Sequence, residues 1–154
     1  MSGLLPSHDE ILVLPLTAEE VFTKFSLVTR NDLAAIQDKS ILFSGWVKQD
    51  RFRISVKVNR PNNFLALIKG RIESTSSGSL VFLDYQLFPT TRLLITFWLL
   101  FTLLFTAIVS FQFSSALYLF GGLAIVVGIY LITWSNFKIQ LNIAREILLT
   151  VIMQ

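Results

Sequence analysis

The stretch LLITFWLLFTLLFTAIVSFQFSSALYLFGGLAIVVGIYLITW, residues 93–134, contains no Asp, Glu, Lys, Arg or His, and it decides how the rest of the chain is read. At roughly 1.5 Å rise per residue, about 20 apolar residues in a helix cover a hydrocarbon core of about 30 Å. The run is long enough for two such crossings, and it therefore predicts two adjacent membrane spans, 93–113 and 116–134, joined as a hairpin. With no ionisable group at depth, a proton path, a pump or an ion-selective pore is not expected, because such sites place a charge inside the membrane.

The flanks set the orientation. The connection 112–115 is uncharged, whereas Arg92 precedes the first span and Lys138 and Arg145 follow the second. The positive-inside rule then places both termini in the cytoplasm. Within the first span Thr102, Thr106 and Ser110 recur every fourth residue; within the second Ala124 and Gly128 do so beside Gly121 and Gly122. Small residues at this spacing let helix backbones approach closely. The two seams either pack the spans against each other or seat another membrane protein or a second copy of the chain.

A chain of 154 residues leaves room for one modest domain outside the hairpin. The expected fold is an α+β membrane protein: a cytoplasmic β-rich domain over 1–91, the hairpin over 92–135, and a C-terminal amphipathic tail over 136–154. Residues 1–10 read as a flexible lead, followed by a short strand over 11–16. Thr17 and Glu20 have capping-box spacing, and Val21, Phe25 and Val28 fall on one helical face, which predicts a helix over 18–28. Residues 31–39 are polar and read as a loop or a weak turn.

From Ser40 the apolar period changes to two, giving four strands, 41–48, 51–58, 64–72 and 80–88, and so a small antiparallel sheet of four or five strands. Turns fall at Gln49 with Asp50, around Pro61, and over 75–79. In the second of these strands Arg51, Arg53, Ser55 and Lys57 point outward against Phe52, Ile54, Val56 and Val58. In the tail, Phe137, Leu141, Ala144, Leu148 and Val151 follow helical spacing, while 137–143 also alternates like a strand; Ala144, Arg145 and Glu146 favour the helix. Its apolar run is too short for a third span, so the tail is expected to lie in the membrane interface or to fold back onto the β-rich domain.

Catalytic chemistry finds little to use. There is no cysteine, and His8 is the one histidine. Thiolate chemistry and zinc–thiolate sites are therefore excluded, and a structural metal site needs about four ligands, more than His8 with Asp9 and Glu10 supply. No nucleophile and base are placed together, and no glycine-rich loop precedes a helix to cradle phosphate. Neither a catalytic set, a cofactor nor a small-molecule substrate is expected, and the net charge of +3 is too small to imply nucleic acid. An enzyme working on a lipid-borne substrate would need a pocket lined by Arg60, Asp84 and Tyr85.

One positive signal lies in the strands. Lys48, Arg51, Arg53, Lys57, Lys69 and Arg71 fall on consecutive strands with an alternation that puts them on one outward face. Such a face could rest on anionic lipid, each residue near the surface contributing about 1 kcal/mol, or meet an acidic partner. It could equally be a solvated face interleaved with Asp50, Glu73 and Asp84.

Phe43 and Gly45, Phe52 and Ile54, Arg60, Asn63-Phe64 and Ile68-Lys69-Gly70, followed by a Ser/Gly turn, a two-span hairpin and a short tail, resemble a group of small bacterial membrane proteins. The likeness covers residues 41–154, and the chain departs from it at Pro61-Asn62. It implies the same architecture, with Gly45 and Gly70 at points of close strand packing, and implies no mechanism. The function expected is that of a non-enzymatic accessory or assembly protein, held in the membrane lipid and binding a larger membrane complex. The alternative is a membrane-tethered binding or sensor module that uses the basic sheet face.

Overall fold

The computed structural model describes residues 5–30, 40–48, 50–58, 62–113 and 115–153. The loop expected over 31–39, the turn residue Gln49, and the Arg60-Pro61 segment lie outside these residues. In chain order the elements are β1 (Ser7–Leu14), α1 (Ala18–Val28), β2 (Thr29–Arg30), β3 (Phe43–Lys48), β4 (Arg51–Val56), β5 (Ala66–Thr75), β6 (Gly78–Leu87), α2 (Pro89–Gln112) and α3 (Ala116–Met153). The fold is α+β, and α2 and α3 are each long and apolar enough to cross a membrane.

The strands form one sheet of six in the order β1-β6-β5-β4-β3-β2. Every pairing is antiparallel except β2 with β3. The expectation of four or five antiparallel strands is therefore corrected: Thr29-Arg30 continues from α1 into a short parallel edge, which carries no alternation of its own to announce it. The second correction is at the N-terminus. Ser7 to Glu10 are not a flexible lead but the first half of β1, with His8 opposite Tyr85 and Asp9 opposite Asp84. These polar residues have little strand preference themselves, and the β6 ladder holds them extended.

α1 begins and ends where the sequence predicts. The Thr17 hydroxyl accepts from the Glu20 N–H at 3.3 Å, and Glu20 Oε2 accepts from the Thr17 N–H at 2.8 Å, closing both sides of the capping box. Val21 and Phe25 are buried against the sheet, Phe25 lying 4.8 Å from the Phe52 ring. Gly70 is required beside this cluster, because a Cβ there would overlap the Phe52 ring. Gly45 has φ +147°, and a Cβ on it would come within 2.8 Å of Ile54 Cα, so β3 approaches β4 at a point no larger residue fits.

α3 revises the three-part reading of the C-terminal half. It runs unbroken for 38 residues, roughly 57 Å, so the tail is the continuation of the second apolar helix and not a separate one. Phe137, Leu141, Ala144, Leu148, Val151 and Ile152 are buried in the same core as Val21, Phe52, Ile68 and Tyr85. Of the two placements open to the tail, folding onto the β-rich domain is the one observed. α1 and the second half of α3 cover the inner face of the sheet, and the Lys24 ammonium donates to the Ile152 carbonyl at 2.8 Å, satisfying an acceptor at the C-terminal end of α3. Pro89 sits in the first turn of α2, where its missing N–H is no loss.

Candidate functional site

Two surfaces carry the candidate residues. The first is the helical hairpin. α2 and α3 pack against each other through Thr106 and Gly122: Thr106 is buried, and a Cβ on Gly122 would overlap its side chain. At the connection the Ser110 hydroxyl donates to the Ser115 carbonyl at 3.1 Å, and the Ser115 N–H donates to the Ser110 carbonyl at 3.3 Å. Thr102 turns its hydroxyl back to the Trp98 carbonyl at 2.8 Å.

The remaining small residues lie elsewhere. A Cβ on Gly121 or Gly128 would meet nothing within 4 Å, and Ala124 between them is exposed. At about 100° per residue Gly121, Ala124 and Gly128 share one side of α3, roughly a third of a turn or more from Gly122. The two seams read from the sequence are thus split: Thr106 and Ser110 are satisfied within the hairpin, while Gly121, Ala124 and Gly128 face outward.

The second surface is the outer face of the sheet. Directly opposed residues of antiparallel strands share a face, so the register can be read across as rows. One row runs Asp9, Asp84, Lys69, Arg53, Trp46; the next runs Ile11, Phe82, Arg71, Arg51, Lys48. Five of the six expected cations are therefore gathered over β3, β4 and β5. Lys57 lies beyond the end of β4, half-buried, with its N–H donated to the Leu42 carbonyl at 2.9 Å. Ser55 and Val58 invert the expected alternation: Ser55 is buried, and Val58, past the strand end, is exposed.

The face is polarised. Arg71 pairs with Glu73, and Arg51 lies 3.6 Å from Asp50, while Arg53 makes no ion pair among the described residues. Lys48 stands 5.5 Å over the Trp46 ring and Arg71 5.3 Å over Phe82. Two further acids, Asp9 and Asp84, face each other across β1 and β6. Burial raises the Asp84 carboxyl above its ordinary value, Asp9 adds to this, and Lys69, Gln86 and Arg92 oppose it. Gln86 donates to Asp84 and accepts from Lys69 at 3.2 Å and from Arg92 at 3.4 Å, joining the sheet to the first turn of α2. Asp84 and Tyr85 are successive residues of one strand and point to opposite faces, so they do not form the lipid-substrate pocket considered above.

The sequence reading did not bring His8 and Arg145 to one place. Arg145 holds Glu10 with a bidentate ion pair, its Nε 2.9 Å from both carboxylate oxygens and an Nη 2.6 Å from one. That pair ties the first strand to the last helix across 135 positions. Behind it, the Tyr85 hydroxyl is buried with no hydrogen-bond partner among the described residues, and burial, with Glu10 adding to it, raises the phenol well above its usual range. The only sequence signal for this junction is the spacing of Trp134, Lys138 and Arg145 on one side of a helix.

An α+β domain with a basic outer sheet face, built onto two helices of membrane-crossing length, is the class the structure defines. No family model, curated protein or solved structure matches the chain at a significant level.

Proposed function

We propose that the chain is an integral membrane accessory or assembly protein without catalytic activity, anchored by α2 and the first half of α3 with both termini in the cytoplasm. The observation that carries this reading is the outward face of α3. Gly121 and Gly128 have open space where the hairpin could have used them, and small residues in an apolar helix let a neighbouring helix approach closely. The uncharged connection and the cations Arg92, Lys138 and Arg145 at the opposite end support the orientation. The occupant of the face is a helix of a larger membrane complex or of a second copy.

Because the chain has no cysteine, a single introduced one reports its neighbours. Oxidative cross-linking in native membranes through Ala124→Cys is expected to yield a discrete adduct, and Gly128→Ile is expected to abolish it. Ala124→Cys that stays monomeric, together with free monomer on purification in mild detergent, refutes the reading.

A second reading rests on the register itself: Lys48, Arg51, Arg53, Lys69 and Arg71 share one open face. It makes the domain a tethered module for anionic lipid or an acidic partner. The full chain in neutral nanodiscs is expected to capture anionic vesicles in a salt-dependent manner, and Arg51→Gln with Arg53→Gln to weaken capture. Equal capture of neutral vesicles rules this out.

A further inference from the structure

A cavity of about 300 Å³ opens between the start of β1 and the side of α3. Trp134, Phe137 and Leu141 form its apolar wall; Lys138, Asn142 and Arg145 continue the wall beyond the charge-free half of the helix; Ser7 and His8 close it from the strand. We propose that this cavity binds the phosphate-bearing headgroup of an anionic phospholipid. The inference rests on the membrane anchoring proposed above, and it concerns a site on the opposite side of β1 and β6 from the basic sheet face.

Position supplies the first argument. Trp134 ends the stretch without charges, where an indole favours the membrane–water boundary, and Lys138 and Arg145 follow one and three turns later on the same side of α3. The cavity thus spans the change from apolar to polar helix over roughly 16 Å, so acyl roots meet Trp134 and Phe137 while a headgroup meets the cations.

Charge supplies the second. The lining holds two cations and no acid; Glu10, outside the lining, balances the charge of Arg145, so the uncompensated charge is that of Lys138. Lys138 has no acidic partner among the described residues. Arg145 is already oriented: Glu10 holds its Nε and one Nη, fixing the guanidinium plane and leaving the other Nη free to donate. Asn142 and His8 add hydrogen-bonding groups at the rim, which suits an oxyanion better than a cation or an apolar ligand.

The test uses the full chain with Trp46→Phe and Trp98→Phe, leaving Trp134 as the sole indole, in phosphatidylcholine vesicles. Phosphatidylglycerol and phosphatidylcholine with brominated acyl chains are compared as quenchers at equal mole fraction. Phosphatidylglycerol is expected to quench Trp134 at a several-fold lower fraction. Lys138→Gln is expected to reduce that preference about fivefold, the factor one lysine contributes near an anionic surface, while Lys138→Arg restores it and Lys69→Gln leaves it unchanged. Equal quenching by the two lipids, or a preference that survives Lys138→Gln, overturns the proposal. Loss of the preference on adding soluble glycerol phosphate overturns the lipid source, since the site then takes the free anion. Carbonate extraction of the same preparation separates the two levels: protein that stays in the membrane without a lipid preference refutes the cavity alone, and protein released from it refutes the anchoring and this proposal together.

Discussion

The split of small residues between the inside and the outside of the hairpin makes opposite predictions for three glycines on one helix. Replacing Gly122 with alanine brings its Cβ within 2.6 Å of Thr106 Cβ, and closer to Thr106 Oγ1 and Cγ2. Carbon atoms rest about 3.5–4.0 Å apart, so α2 and α3 must separate by roughly 1 Å at this level. They cannot do so freely, because the Ser110–Ser115 bonds tether one end and the buried Ile95 and Phe137 the other.

Overpacking of this kind costs about 1–3 kcal/mol, offset by up to about 1 kcal/mol from alanine's better helix propensity. Gly122→Ala is therefore expected to destabilise the chain by about 1–2 kcal/mol. Gly121→Ala and Gly128→Ala incur no overlap and keep the propensity gain, so they are expected to be neutral or stabilising by up to about 1 kcal/mol. Reversible unfolding of the full chain in bicelles, followed by far-UV circular dichroism, ranks the variants. Combining Gly122→Ala with Thr106→Ala removes the two nearest atoms and is expected to recover part of the loss, giving a favourable coupling between the sites. A Gly122→Ala as stable as the parent, or a Gly128→Ala equally destabilised, refutes the assignment of the hairpin contact.

Four further outcomes are expected. Thr17→Ala removes the α1 cap and is expected to lower stability by about 1 kcal/mol, read as faster hydrogen exchange in the first turn of α1. Hydrogen bonds from the Thr17 backbone and hydroxyl hold the Glu20 carboxyl below its ordinary value, so its contribution is complete above the unfolded-state pKa and is lost as pH falls through the folded one; Glu20→Gln should therefore flatten the acid limb of the stability profile. Asp84 has the opposite sign: its raised carboxyl retains a proton more firmly in the native state, so stability falls as pH rises from the unfolded pKa through the raised value. Asp84→Asn is expected to raise the midpoint of thermal unfolding at pH 7 by an amount that vanishes on acidification, and a lowered midpoint at pH 7 contradicts the burial cause. Gly45→Ala places a side chain at φ +147° against the backbone of Arg53 and Ile54, and is expected to cost about 2 kcal/mol or more; unchanged denaturant midpoints contradict it.

What could be read from the sequence was what local chemistry specifies. The Thr17–Glu20 box and the spacing of Val21 and Phe25 fix α1 within a few residues of chain, and the alternation over 51–54 and 69–72 orients Arg51, Arg53, Lys69 and Arg71 without knowledge of the partners. The first half of β1 was not legible, because Ser7, His8, Asp9 and Glu10 are extended by the β6 ladder and held by Arg145 from the far end of the chain. The rotation of α3 was not legible either: its four small residues, Gly121, Gly122, Ala124 and Gly128, mark two seams, and only the relative position of Thr106 shows that Gly122 is the one used.

The unbroken course of α3 links these surfaces. No glycine or proline interrupts the helix from Ile129 to Met153, so its apolar half cannot turn without turning the row Phe137, Leu141, Ala144 and Leu148 that is wedged into the core. Gly128 and Phe137 are nine residues apart, about 180° around the helix, so the small-residue face is held on the side of α3 opposite the one that enters the core. Lys138 lies about a quarter turn from Gly128, which places the cationic cavity beside that face but not on it. A helix docking over Gly121, Ala124 and Gly128 would therefore sit clear of Thr106, in a direction fixed relative to the sheet. The orientation of the basic face toward whatever the hairpin binds follows from the same rigid element.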